Sequence, residues 1–170
     1  MKWLTLLLSL ATLSIPEVNA QSADDWYLIS KLREQGVRVD VNHYTCKGSN
    51  YAGRYSSNDR QIIICVDDNK WTLYDSDTLI HETQHYIQDC YAGYRFDNKF
   101  APIYREPIDL ARQFLTIQQR VELYMQYNDP DYKIELEAWS VAKQMDYDKV
   151  LYHLDAYCKF NRKYYQEVSK

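Results

Sequence analysis

The segment His81-Glu82-Thr83-Gln84-His85 carries the residues of this chain that are best suited to chemistry. On a helix, two histidines four positions apart lie about one turn from each other, so both imidazoles can reach one metal ion. A glutamate directly after the first histidine lies close enough to take a proton from a water that the metal activates. This HExxH pattern therefore predicts a zinc site with hydrolytic chemistry.

The residues around the motif favour a helix. Neither glycine nor proline occurs between Asp75 and Ala92. Asp77 is a suitable N-cap before Thr78, and Gly93 is a suitable residue just past the last turn. A chance pair of surface or core histidines is the competing interpretation, and such a pair need not be accompanied by these helix signals.

A catalytic zinc ion usually takes three protein ligands and keeps one position for water, so a third ligand is needed. His43 and His153 are candidates by residue type. Better candidates are Glu135 and Glu137, which lie between apolar neighbours in Ile134–Trp139, on a later helix. A carboxylate in such a run is costly unless it is paired or binds a metal, although a solvated polar stripe is the simpler alternative. Residues two positions apart point about 200° apart on a helix, so at most one of the two glutamates faces the site.

HExxH followed by ExxA on a later helix resembles the gluzincin branch of the zincin metallopeptidases. In ExxA-type members the third zinc ligand is the glutamate three residues before the alanine, which is the position of Glu135 relative to Ala138. The resemblance thus implies Glu135 as the ligand, with Glu137 as the alternative. It covers Ile62–Trp139 in outline and is specific only at the motif itself. Trp139 departs from the Asp or Asn that several related families carry there, which leaves the subfamily open.

The resemblance also implies an activity, the hydrolysis of peptide bonds with Zn²⁺ held by His81, His85 and Glu135. Glu82 would act as the general base and then deliver the proton to the leaving amine. In such folds the strand before the motif helix, here Ile62–Val66, often lines the substrate cleft. The expected partner is a peptide or protein substrate.

Other parts of the site are less well defined by the sequence. The group that stabilises the oxyanion is left open among His153, an arginine and one of the tyrosines. Gln88 and Asp89 lie three and four residues past His85, so either could interact with its imidazole, but a solvated role is the expected one. A non-catalytic exported binding module, with an incidental or structural metal site, is the main alternative function. A zinc hydrolase that acts on other bonds is the second alternative.

The first twenty residues predict a signal peptide. Lys2 provides a short basic start, Leu4–Ile15 is apolar, and Val18–Ala20 has the small residues of a cleavage site. The apolar stretch is too short to cross a bilayer core of about 30 Å as a helix. We therefore expect a protein that is secreted or periplasmic from Gln21 onward, without stable membrane insertion. A net charge of −4 gives no support for nucleic acid as a partner. The oligomeric state is not indicated.

The four cysteines form an even set in a chain with an export signal, which predicts two disulfides. No CxxC spacing is present to suggest zinc ligation by cysteine. Three pairings are possible. We favour Cys46 with Cys65, across neighbouring strands, and Cys90 with Cys158, which would join the motif helix to the last helix.

The pattern of apolar residues predicts an α+β fold in a single domain over residues 21–170, and the resemblance implies that this fold is zincin-like. A short, mostly antiparallel sheet would pack on the motif helix, and a helical half would follow. The first helix should bury a stripe of Trp26, Ile29 and Leu32, with Leu28 beside it. The individual predictions are a helix at Ser22–Gln35, strands at Val37–Val41, Tyr51–Tyr55 and Gln61–Val66, a loop at Tyr94–Tyr104, a helix from Pro107 to about Tyr127, and a helix from about Tyr132 toward Tyr165 with an interruption at Asp146–Asp148.

Overall fold

The computed structural model describes residues 22–93, 99–144 and 146–159. The predicted α+β class is confirmed, because these residues form six helices and a three-stranded sheet. The predicted signal peptide lies outside the described residues, and so does the last part of the final predicted helix, from residue 160 to Tyr165. The elements are α1 (Ala23–Glu34), β1 (Arg38–Val41), β2 (Gly53–Ser56), β3 (Gln61–Ile64), α2 (Leu73–Tyr91), α3 (Pro107–Phe114), α4 (Ile117–Gln126), α5 (Asp131–Gln144) and α6 (Tyr147–Cys158), with short 3-10 turns at Tyr44–Cys46 and Asp67–Asn69.

The sheet is mixed, so the prediction of a mostly antiparallel sheet was wrong. Its strand order is β1-β3-β2, with β3 parallel to β1 and antiparallel to β2. β3 takes the central place, and Ile62 and Ile64 are fully buried. β1 and β2 are the two edge strands, and β3 lies between them. β3 follows β2 through a tight turn, so these two strands are antiparallel, and the other edge of β3 pairs in parallel with β1.

Helix α1 begins and ends as predicted, but its buried face differs. Ser22 caps the helix reciprocally with Asp25: the Ser22 hydroxyl accepts from the Asp25 amide, and the Asp25 carboxylate accepts from the Ser22 amide. The buried stripe is Asp25, Leu28, Ile29 and Leu32, which is a regular helical spacing with a polar first member. Trp26 is 56% exposed, so its place in the predicted stripe was wrong.

A hydrogen-bond network explains why Asp25 takes the inward position. Its carboxylate accepts from the Trp71 indole at 3.1 Å, the Ser76 hydroxyl at 2.8 Å and the Tyr147 hydroxyl at 2.6 Å. These donors belong to the start of α2 and to α6, so one buried carboxylate joins three helical segments. A buried carboxylate is tolerated where donors of this number satisfy it.

The motif helix α2 starts five residues earlier than predicted and has 19 residues. Its N-cap is Thr72 rather than Asp77, because Thr72 and Asp75 form a reciprocal capping box. The helix packs against β2 and β3 on one side and against α5 and α6 on the other. It is therefore buried almost all round, and the polar residues of the motif lie in the interior of the protein.

The helical half is more divided than predicted. The single helix expected from Pro107 to about Tyr127 is two helices, because Thr116 forms a capping box with Gln119 and starts a new helix there. The predicted interruption near Asp146 is confirmed, and the Asp146 carboxylate caps α6 by accepting from the Lys149 amide at 3.0 Å.

Both disulfides pair as predicted. Cys46–Cys65 ties the loop after β1 to the end of β3, and Cys90–Cys158 joins α2 to α6. Two disulfides indicate an oxidising, extracellular compartment. In the described ranges, no helix has both the length and the apolar character that crossing a membrane requires.

Candidate metal centre

Helices α2 and α5 bring three of the predicted site residues together. The Nε2 atoms of His81 and His85 lie 3.0 Å apart. The Glu135 carboxylate lies against both, with Oε2 at 3.4 Å from His81 Nε2 and Oε1 at 3.4 Å from His85 Nε2. Two imidazoles from one helix and a carboxylate from another thus converge on one small volume.

The protonation pattern of His85 fits metal binding. Its Nδ1 lies 2.8 Å from the side-chain oxygen of Gln88, which can only accept, so Nδ1 carries the proton. In the neutral ring Nε2 is then the free acceptor, and it faces another imidazole nitrogen and a carboxylate. Imidazole nitrogen and carboxylate oxygen are ligands that zinc prefers. Ligand atoms of His81, Glu82 and His85 also lie within 4.8 Å of one another, so this group could hold a metal ion.

Charges within the site are arranged to receive a cation. Burial lowers the pKa of His85, but hydrogen bonding to Glu135 and the charges of Glu135 and Glu82 outweigh it and raise the pKa to about 9. Burial raises the pKa of Glu135, but the two histidines outweigh it and hold the pKa well below its ordinary value. The acidic groups therefore favour positive charge at the histidines, whether a proton or a metal ion supplies it.

Glu82 is buried beside this cluster and is held by strand β2. Burial raises the pKa of its carboxyl group, and the neighbouring histidines together with a hydrogen bond from the Tyr55 backbone oppose that rise. A raised pKa suits a group that must accept a proton and then release it. The Glu82 carboxyl group thus lies beside the two motif histidines with a raised pKa.

Gly53 allows β2 to approach Glu82 and was missed in the sequence. A Cβ on Gly53 would lie 2.4 Å from Thr78 Cγ2 and 3.0 Å from Glu82 Cγ. A glycine within a strand pattern often marks such a close approach, which is the signal that could have identified it.

Replacing Gly53 with alanine is expected to reduce hydrolysis at least about tenfold, because the new Cβ must push α2 and Glu82 away from β2. The companion change Thr78→Ser removes the clashing methyl group and keeps the hydroxyl that donates to the Tyr74 carbonyl. The double variant should therefore recover much of the activity. Steady-state kinetics of both variants test this, and a fully active Gly53→Ala protein would contradict the close approach.

Glu137 faces away from the metal cluster, although it is the alternative ligand that the sequence left open. It is fully buried, and its carboxylate accepts from the side-chain amides of Gln84 and Gln88 at 2.8 and 3.0 Å. The backbone amides of Ile103 and Tyr104 donate to it at 3.1 and 2.8 Å. Burial raises its pKa and these donors oppose the rise. Glu137 therefore joins α2, α5 and the loop before α3.

The prediction that Gln88 and Asp89 are solvated was wrong, because both are fully buried. Gln88 accepts from His85 and donates to Glu137, so it connects the two. Asp89 accepts from the hydroxyls of Tyr55 and Ser57 at 2.7 and 2.6 Å and ties α2 to the β2 hairpin. Polar residues in this part of α2 are inward because the helix is covered on both sides.

Replacing Gln88 with methionine is expected to weaken zinc binding about 10- to 100-fold, because the His85 ring loses the group that fixes its tautomer and orientation. Gln84→Met is the matched control. It removes a similar hydrogen bond to Glu137 but, in the described structure, no bond to a histidine. Competition with a zinc-binding dye measures both affinities. Equal losses in the two variants would contradict an orienting role for Gln88.

A cleft of about 470 Å³ opens onto the cluster, and its walls come from two directions. Residues 50–53 and Tyr55 form one wall, and Tyr127, Glu135 and Trp139 form the other. The expectation that Ile62–Val66 lines the cleft was wrong, because β3 is the central strand and β2 lies between it and the cleft. Tyr127 is half-buried, and burial with the charges of Glu135 and Glu82 raises the pKa of its hydroxyl.

The other two histidines lie elsewhere. His43 bonds Thr45 in the loop after β1, with 3.0 Å between Nδ1 and the hydroxyl. His153 is on α6, with its ring against those of Tyr104 and Tyr157. Neither is among the described residues that line the cleft. His153 is therefore not placed to contact a substrate there.

Trp139, the residue that departs from the family pattern, packs directly on the site. Its ring centroid lies 4.4 Å from that of His81, at an angle of 43°. Among the described residues, the buried Nδ1 of His81 has no hydrogen-bond partner. On the α5 side, this histidine therefore contacts both the Trp139 ring and the Glu135 carboxylate, which lies 3.4 Å from its Nε2.

A scan against protein-family models and searches of curated proteins and of solved structures found no match to this chain.

Proposed function

We propose that the protein is an exported zinc-dependent peptidase, with His81, His85 and Glu135 as the metal ligands and Glu82 as the general base. One observation carries the proposal: the Glu135 carboxylate, on a separate helix, lies 3.4 Å from the Nε2 atoms of both motif histidines. Chance spacing of two histidines would not require a third ligand of the right type at the same point. The two disulfides are consistent with export.

Zinc, when bound by these ligands, polarises the scissile carbonyl and lowers the pKa of a water molecule toward about 7. Glu82 accepts a proton as the water oxygen bonds to the carbonyl carbon. It then donates that proton to the amide nitrogen as the carbon–nitrogen bond breaks. The raised pKa of Glu82 supports both transfers, because the protonated form is not strongly disfavoured.

Tyr127 is our choice for the group that stabilises the oxyanion. It lines the cleft together with Glu82 and Glu135, and its raised pKa keeps the hydroxyl protonated and able to donate. Donors of this kind stabilise the negative charge that develops on the carbonyl oxygen. His153 is excluded from this role by its position on α6 against Tyr104.

The alternatives are a binding module with a structural metal and a hydrolase of other bonds. The test is incubation of the purified mature protein with a denatured protein, before and after removal of zinc by a chelator. We expect cleavage that stops on chelation and returns when zinc is added. A zinc-loaded protein that cleaves no peptide bond would favour the binding module. The cleft favours the peptidase over a closed structural site, because it leaves the cluster open to a ligand.

A further inference from the structure

A second cavity, of about 300 Å³, lies between the start of α2, α4 and α5 and adjoins the cleft. Leu115, Leu123 and Trp139 provide apolar walls. Tyr74, Gln126 and Trp139 line both this cavity and the cleft, so the two spaces are direct neighbours. We call this cavity the α4 pocket.

Several of the polar side chains that line the α4 pocket are already partnered. The Gln119 side-chain oxygen accepts from the Thr116 amide at 2.9 Å. Glu122 accepts from Gln118 at 2.9 Å.

The one basic side chain in the lining is partnered as well, because Lys143 forms an ion pair with Asp77. A charged ligand group would have to compete with these existing contacts. The apolar walls are the surface that the pocket offers to a ligand.

We propose that the α4 pocket receives a large apolar or aromatic side chain of the substrate, next to the bond that is cleaved. This inference rests on the proposed peptidase function. Trp139 links the two spaces, because its ring packs on His81 at 4.4 Å and also forms a wall of the pocket. A side chain seated against Trp139 therefore belongs to a residue close to the metal site. The volume lies at the lower end of the range for ligand pockets, which suits one side chain, and an aromatic ring would gain a favourable contact with the indole.

The first test is substrate preference. Mass spectrometry of the cleavage products of denatured proteins is expected to find large apolar residues enriched at one position beside the cleaved bond. For two peptides that differ only by Phe or Ala at that position, Leu123→Phe should lower the ratio of kcat/KM values about tenfold, because it fills the pocket. Val121→Phe, on the exposed side of the same helix, should leave the ratio unchanged.

A second test does not need hydrolysis. In ¹⁵N-labelled Glu82→Gln protein, millimolar N-acetylphenylalaninamide should shift the Trp139 indole signal, identified with Trp139→Phe, and N-acetylglycinamide should not. Cleavage without preference, together with an unmoved Trp139 signal, would overturn the pocket and leave the peptidase function standing. A shifted signal, together with a wild-type protein that cleaves no peptide, would support the pocket and overturn the peptidase function.

Discussion

Replacing Glu82 with glutamine is expected to lower kcat about 10³-fold or more and to leave zinc bound. The amide has the same shape as the carboxylate, and its oxygen can still accept the hydrogen bond from the Tyr55 backbone. It cannot take a proton from water, which removes general acid–base catalysis. Initial rates on a peptide substrate and the zinc content of the same preparation measure the two effects.

Glu34→Gln is a matched control for the Glu82 variant, because Glu34 is an exposed glutamate at the end of α1 that pairs with Lys31. It should keep full activity and full zinc content. If the Glu82 variant stayed fully active, Glu82 would not be the base. If it lost zinc instead, the carboxylate would act mainly as part of the metal site.

The second large effect is expected when the two glutamates of α5 are replaced. One variant should lose zinc affinity, and the other should lose stability. Glu135→Ala removes a ligand and should weaken zinc binding at least about 100-fold, with little loss of stability of the zinc-free protein. Glu137→Ala leaves four hydrogen-bond donors around a buried gap and should lower the free energy of unfolding by about 3 kcal/mol or more. Its zinc affinity should change less than that of the Glu135 variant.

Dye competition for zinc and urea unfolding of both metal-free variants separate these outcomes. A stable Glu137→Ala protein with normal zinc affinity would show that its hydrogen bonds contribute little. A Glu135→Ala protein that binds zinc as well as the wild type would exclude Glu135 as a ligand, however close its carboxylate lies to the histidines.

The parts of the fold that sequence predicted are those with short-range signals. The limits of α1 follow from Ser22 and Gly36, and the break before α6 follows from its capping residue Asp146. The start of α2 was misplaced because two acidic residues, Asp75 and Asp77, each fit a capping pattern, and only the structure shows which one is used. The parallel pairing of β1 with β3 was missed because strand order depends on contacts between distant segments.

In the candidate site, too, short-range patterns were predicted and contacts between distant segments were not. The motif and its ExxA partner are local patterns, and the 200° between Glu135 and Glu137 correctly implied that only one would face the histidines. The role of Gly53 was not predicted, and that of Gln88 was only the alternative to a solvated side chain. Each depends on a neighbour from another element, which is Glu137 for Gln88 and Thr78 for Gly53. Spacing along one helix or strand does not contain that information.

The most direct test of the central claim is the zinc content of the purified mature protein, with both disulfides formed, after dialysis to remove loosely held metal. The metal site described above predicts close to one zinc ion per chain, lost when His81 and His85 are both replaced by phenylalanine. A correctly folded, oxidised protein that retains no zinc, even after incubation with the ion, would contradict the account.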